Sequence, residues 1–367
     1  MIFGLFEILT IYIISIGSLI QGFFKVKNYE NKGLSPTTSF AIIVPFRNEK
    51  ENLPKLLESF SKLNYPINLF EVILVDDSSN ERFQVSGFRF QVSVIDNIRI
   101  SNSPKKDAIT TAMLHVKTNW VITTDADCIV PENWLLTFDN YIQENKVSML
   151  AGAVSYEYEN SFLHHFQQLD LTSLQGATIG SFGLGKGFMC NGANFAYTKS
   201  LFKSLNGFDG NDKIASGDDV FLLQKAIEKF PNEVHYLKAK EAIVITKPTE
   251  NWKSLFHQRV RWAAKTSSYK SAFGKFLGLI VFFGNLSFVI AFFLFLLRIW
   301  YYPFFVLFVF LKFTIDFILL YKTNQFLTKT RIKSLLLSSL LYPFFSSTVA
   351  LYSLFGSYEW KDRRFVK

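Results

Sequence analysis

The chain has 367 residues, 49% of them hydrophobic and 17% aromatic with 41 phenylalanines, a composition that excludes an ordinary soluble globular protein. Its net charge of +9 would suit nucleic acid, but basic residues such as Arg331, Lys333, Arg363 and Arg364 flank hydrophobic segments, so membrane lipids are the expected partners and nucleic acid is not. Two cysteines, Cys128 and Cys190, are too few for a disulfide framework and are expected as free thiols in a cytoplasmic domain.

Residues 2 to 24 form an apolar run with Glu7, no basic start and no small-residue cleavage site, so residues 1–25 read as a retained transmembrane anchor. Lys25, Lys27 and Lys32 follow it, and the positive-inside rule keeps the region behind them in the cytoplasm. That region, 38–250, has globular composition and length for one core. Residues 40 to 44, 70 to 75 and 92 to 95 read as buried strands; 49 to 63 carries Leu53, Leu56, Leu57, Phe60 and Leu63 at helical spacing. Residues 105 to 116 place Ala108, Ile109, Ala112 and Met113 on one helical face, and 120 to 123 is a fourth strand. Strands alternating with helices predict an α/β fold with a Rossmann-like, mostly parallel sheet, whose ligands bind beyond the carboxyl ends of the strands.

Past the globular region, 251–275 interleaves apolar and basic residues and reads as an interfacial amphipathic helix. Three spans follow at 276 to 297, 299 to 321 and 334 to 356, so that 276–356 holds about three transmembrane helices and 357–367 is a basic tail. Pro343 permits a kinked or re-entrant last helix, which would relieve the conflict between three full crossings and a basic tail on the far side. Lys312 and Asp316, four residues apart in the middle of these spans, are placed to neutralise each other.

Three strands end in polar groups: 45–49 (Pro-Phe-Arg-Asn-Glu), 76–79 (Asp-Asp-Ser-Ser) and 124–127 (Thr-Asp-Ala-Asp). Asp125 and Asp127, spaced i, i+2 where a strand frays, share a face and can reach one hard divalent cation beside a phosphate-bearing ligand. No dinucleotide-type glycine fingerprint follows the first strand. The glycines at 180–187 nearly spell a phosphate-cradling loop, but Gly187 stands where a magnesium-binding hydroxyl is required, so an NTPase is excluded and a flexible glycine loop is expected. His164 and His165 lack a second ligand pair at metal spacing and read as surface or packing residues. Asp218 and Asp219 precede an apolar helix from 220 to 227, where one can serve the helix dipole and the other act as a general base.

In order and approximate spacing, 44–49, 75–79, 124–127, 216–219 (Ser-Gly-Asp-Asp) and 258–262 (Gln-Arg-Val-Arg-Trp) resemble the motifs of membrane-bound family-2 glycosyltransferases with the GT-A fold. The resemblance covers about 38 to 265 and is strongest to bacterial enzymes similar to ceramide glucosyltransferases, then to processive polysaccharide synthases. It implies an inverting glycosyltransferase of cell-envelope biosynthesis, multi-pass in the inner membrane. Such an enzyme moves a sugar from a UDP-sugar donor to a lipid or glycan acceptor at the cytoplasmic face. A processive exopolysaccharide synthase, or a sugar-nucleotide-binding scaffold without catalysis, is the alternative. By the same resemblance Pro45, Glu49, Asp77 and Lys106 meet the nucleotide. Asp127, with Asp125 bridging toward ribose or metal, binds Mg2+ or Mn2+. Asn191 lies beside sugar and acceptor. Asp219 is the base with Asp218 next to it, Gln258 and Arg261 contact the diphosphate, and Trp262 stacks on the acceptor.

Overall fold

A computed structural model describes residues 2–211, 214, 216–328, 330, 333–360 and 363–365. In chain order the elements are α1 (Ile2–Lys25), β1 (Phe40–Phe46), α2 (Leu53–Ser61), β2 (Phe70–Asp76), β3 (Gln91–Asp96), α3 (Pro104–His115), β4 (Trp120–Thr123), β5 (Cys128–Ile129), α4 (Trp134–Glu144), β6 (Met149–Gly152), β7 (Val154–Tyr156) and α5 (Phe162–Gly183). The second half continues with β8 (Phe195–Thr198), α6 (Lys199–Ser204), α7 (Asp218–Lys229), β9 (Val234–Leu237), β10 (Val244–Thr246), α8 (Trp252–Ala264), α9 (Ala272–Leu296), α10 (Tyr302–Leu327), α11 (Leu335–Phe355), β11 (Tyr358–Trp360) and β12 (Arg363–Phe365). These form two units. A sheet unit comprises Lys27–Glu157 and Met189–Lys247, and a helical unit comprises Met1–Val26, Tyr158–Phe188 and Pro248–Lys367.

In the sheet unit the strand order is β3-β2-β1-β4-β8-β6-β9. The first four strands run parallel, because α2 and α3 return the chain over the sheet between strands, whereas β8 is antiparallel to both β4 and β6. Strands covered on both faces need continuous apolar sequence, and β1 buries every residue but Pro45. The face of α2 carrying Leu53, Leu56, Leu57 and Phe60 is buried, and Phe60 stacks on Trp134 of α4 with ring centres 6.3 Å apart. A three-stranded sheet, β5-β10-β7, completes the unit. Buried Asp139 and Asn140 of α4 tie the incoming chain to it, accepting the Thr38 N–H at 2.8 Å and the Leu34 N–H at 3.0 Å.

In the helical unit, four helices among the described residues are long and apolar enough to cross a membrane: α1, and α9, α10 and α11 near the other end. The last runs as one helix through Pro343. Lys312 and Asp316 pair at 2.8 Å, and Tyr12 of α1 adds a third member by donating its hydroxyl to Asp316 at 2.6 Å. Of the basic residues noted in the sequence, Arg331 lies outside the described residues, as do positions 361–362 and 366–367 of the tail.

The expected glycine loop is corrected in its first half: Gly180 and Gly183 belong to α5, a 22-residue helix, whereas residues 184–187 form a turn and irregular backbone. The two helical glycines serve close packing. A Cβ on Gly183 would overlap the Gly22 carbonyl of α1, and one on Gly180 would overlap the Leu19 carbonyl. His164 and His165 on the same helix are buried, the packing half of the expectation.

Candidate active site

At the carboxyl ends of β1 and β2 the backbone turns sharply, with Asn48 and Ser78 both at positive φ (55° and 61°). Such strain persists only where neighbours hold it. Here Asn48 N–H donates to Ser79 Oγ at 2.9 Å, Asn80 N–H to Asn48 Oδ1 at 2.9 Å, and Ser79 N–H to the Asp76 carboxylate at 2.9 Å. Asp76 is thus engaged in shaping the turn. Asp77 is buried; its carboxylate accepts from the Asn97 side-chain amide at 2.7 Å and faces the Arg99 guanidinium at 3.5 Å. Glu49, four residues after half-buried Pro45, accepts from the Asn52 amide at 2.5 Å.

Beyond β4 the charged groups converge. Lys105, in the first turn of α3, places its ammonium 2.6 Å from Asp125 Oδ1 and 3.4 Å from Asp218 Oδ2. Burial alone would lower its pKa, but the carboxylates of Asp125, Asp218 and Asp219 outweigh that and hold it protonated, far above the usual lysine range. Asp218 and Asp219 form the first turn of α7, entered through Gly217 at φ 87°, a conformation that suits glycine. One carboxylate oxygen of Asp219 accepts the Val220 N–H of its own helix at 2.7 Å, and the other accepts the Gly192 N–H at 2.9 Å from a separate loop. Gly192 is hemmed in, because a Cβ there would sit 3.0 Å from Asp218 Oδ2 and 3.2 Å from Lys105 Nζ. Its carbonyl accepts the Thr123 hydroxyl at 2.7 Å, fastening this loop to the end of β4. Asn191 closes the same loop by accepting the Ala193 N–H at 3.0 Å.

Asp127 is half-buried, and with Asp125 it pushes the buried Cys128 thiol up from its ordinary range, burial being the larger cause. Among the described residues no cluster of three or more His, Cys, Asp or Glu is arranged to hold a metal ion. Lys106, expected near the nucleotide, has different surroundings from its neighbour Lys105. Lys106 is buried, donates to the carbonyls of Asn211 at 2.7 Å and Ile214 at 2.9 Å, and lies over the Phe221 ring. The sequence held a signal for Lys105, since residues 105, 108, 109 and 112 share one helical face. Nothing in the pattern marked Arg99.

In the helical unit, α8 carries Gln258, Arg259, Arg261 and Trp262. Gln258, Arg261 and Trp262 are half-buried, but Arg259, which the sequence reading passed over, is buried. It is ion-paired with Asp170 of α5, donates to Gln258 Oε1, and has its guanidinium carbon 4.1 Å from the Trp262 ring centre.

Residues 41–205 match the family Glycosyl transferase family 2. Glycosyltransferase AglE of Haloferax volcanii is 26% identical over 124 residues, 33% of this chain and 40% of that protein. The probable glycosyltransferase YdaM of Bacillus subtilis is 24% identical over 236 residues, 61% of this chain and 54% of that protein. The chain therefore spans about half or less of the curated relatives it matches. In fold it is similar to a mannosyltransferase from Pyrobaculum calidifontis, solved in complex with GDP-Man and Mn2+, with a TM-score of 0.56 at 15% identity over 95% of this chain and 99% of that one.

Proposed function

This chain carries a family-2 glycosyltransferase domain of GT-A fold, and on that premise we propose that it transfers a sugar, with inversion, from a UDP-sugar to a lipid acceptor at the cytoplasmic face of the inner membrane. The observation that supports the reading most is the convergence of Lys105, Asp125, Asp218 and Asp219 at one place beyond β4. Asp219, oriented by the Gly192 N–H, takes the proton of the acceptor hydroxyl. The acceptor oxygen then attacks the anomeric carbon from the face opposite the diphosphate. The bond from that carbon to the diphosphate breaks, and the diphosphate leaves with the nucleoside. Its growing charge meets the Lys105 ammonium, which is already protonated and already positioned. Asp125 and Asp127 are half-buried carboxylates, the hard oxygen donors that Mg2+ or Mn2+ prefers, and with few protein ligands such an ion keeps positions for water and phosphate. When bound, the ion supplies further positive charge to the diphosphate. Glu49 and Asp77, beside Pro45, serve the nucleoside. Asn191 serves the sugar, while Gln258 and Arg261 serve the diphosphate and Trp262 the acceptor. The apolar helices α1, α9, α10 and α11 support a membrane-bound acceptor.

The reading is tested by incubating membranes containing the protein with radiolabelled UDP-sugars and GDP-mannose, followed by separate analysis of lipid and polymer fractions. Label from a UDP-sugar in lipid is expected. Label in polymer overturns the lipid acceptor, label from GDP-mannose alone overturns the UDP donor, and no transfer from any donor leaves the scaffold reading. Asp219→Asn is expected to abolish transfer while UDP binding, measured by calorimetry, is retained; surviving turnover removes Asp219 as the base.

A further inference from the structure

The segment from Gln258 to Trp262 sits on α8, but the group that organises it sits on another helix. Arg259 is 5% exposed, and its guanidinium is engaged on three sides. One nitrogen faces the Asp170 carboxylate, another donates to Gln258 Oε1, and the plane lies over the Trp262 ring. Asp170 is 4% exposed, and its second oxygen accepts the Tyr342 hydroxyl of α11 at 2.9 Å. A guanidinium is a planar fork with fixed donor directions, so the carboxylate that orients it also orients whatever the remaining donors and the flat face meet. Two consequences follow for α8. With Oε1 held by Arg259, the Gln258 amide turns its NH2, two donors, away from the arginine. With one face of the indole covered by the guanidinium, Trp262 has only the opposite face for a ligand ring.

We propose that Asp170 is the positioning residue of the 258–262 segment, acting through Arg259 to set the Gln258 amide and the Trp262 indole in one arrangement. The ligands of Gln258 and Trp262 rest on the sugar-transfer reading above; the positioning itself does not. Tyr342 lies on a membrane-length helix, so the same carboxylate links the arrangement of α8 to that of α11.

The test uses the full-length protein in lipid nanodiscs, labelled with 5-fluorotryptophan, with the Trp262 fluorine resonance identified by its loss in Trp262→Phe. In Asp170→Asn that resonance is expected to shift or broaden while those of Trp120 and Trp134 in the sheet unit stay in place. Turnover of whichever UDP-sugar the wild type uses is expected to fall by about a hundredfold. UDP affinity, measured by calorimetry, is expected to fall as well, because the displaced Gln258 amide serves the diphosphate. Arg259→Lys, which keeps the charge but loses the planar fork, is expected to give the same pattern, and it decides the matter where Asp170→Asn does not accumulate. An unmoved Trp262 resonance in either folded variant overturns the proposal, as does disturbance of Trp120 and Trp134 to the same degree as Trp262. If the wild type transfers no sugar at all, the functional reading fails and the fluorine spectra still decide the positioning.

Discussion

Lys105 and Lys106 are adjacent in sequence and about 100° apart around α3, and this rotation separates an electrostatic task from a structural one. Lys105→Ala leaves Asp125 and Asp218 without the shared cation and takes a donor from the diphosphate site. Turnover is expected to fall on the order of a hundredfold with little change in thermal stability. Lys106→Ala leaves two loop carbonyls without their ammonium ahead of α7, so it is expected to destabilise the fold by about 1–3 kcal/mol, seen in a denaturant melt. Equal effects of the two on turnover would remove the distinction. At this scale the sequence was legible wherever a side chain stood at the end of an apolar run, as with Asp77 and Asp125. It was not legible where function depends on which way a residue faces after the chain returns from elsewhere. Arg99 reaches back to Asp77 from a loop, and Arg259 meets a carboxylate 89 residues upstream.

Among the elements, β1 to β4 and α2 to α3 were readable because burial on one or two faces imposes a period on the sequence. The helix α5 was not, because its contacts are largely polar or glycine-based and leave no apolar stripe. Gln167, for example, is buried against Thr249, accepting its N–H at 2.8 Å. The α1–α5 seam predicts that Gly183→Val, which forces a side chain into the Gly22 carbonyl, lowers stability by roughly 1–3 kcal/mol, whereas Gly185→Val, with open space around it, meets only backbone strain. A second prediction concerns acid. Burial, and then the neighbouring His165, push His164 down to about 4 from its ordinary 6.5. The unfolded chain takes the proton first, so stability is complete above about pH 6.5 and falls as pH drops toward 4. His165 is lowered as well, by burial and then Lys333, and adds to the same slope. His164→Gln is expected to flatten the pH dependence of the melting temperature across that window; an unaltered slope assigns it to other groups.

For the molecule as a whole, the membrane-length helices and the α/β middle were visible in composition, whereas the assignment of 158–188 to the helical unit was not, because only contacts reveal it. Asp125 and Asp127, with no third protein ligand of their kind among the described residues, predict a cation that serves the reaction and not the fold. Excess chelator is expected to stop transfer while leaving the melting temperature unchanged, and a large drop in melting temperature contradicts this. The Asp170 network also bears on how the chain is made. Synthesis is vectorial, at about 5–20 residues per second, and Tyr342 lies 172 residues downstream of Asp170. For roughly ten to thirty seconds after α5 leaves the ribosome, its carboxylate lacks first Arg259 and then Tyr342. Such a group stays hydrated until its partners arrive. The helix that completes the Gly22 seam is therefore made early and finished late, and a nascent chain stalled before residue 342 would hold α5 without the α11 hydroxyl that Asp170 accepts.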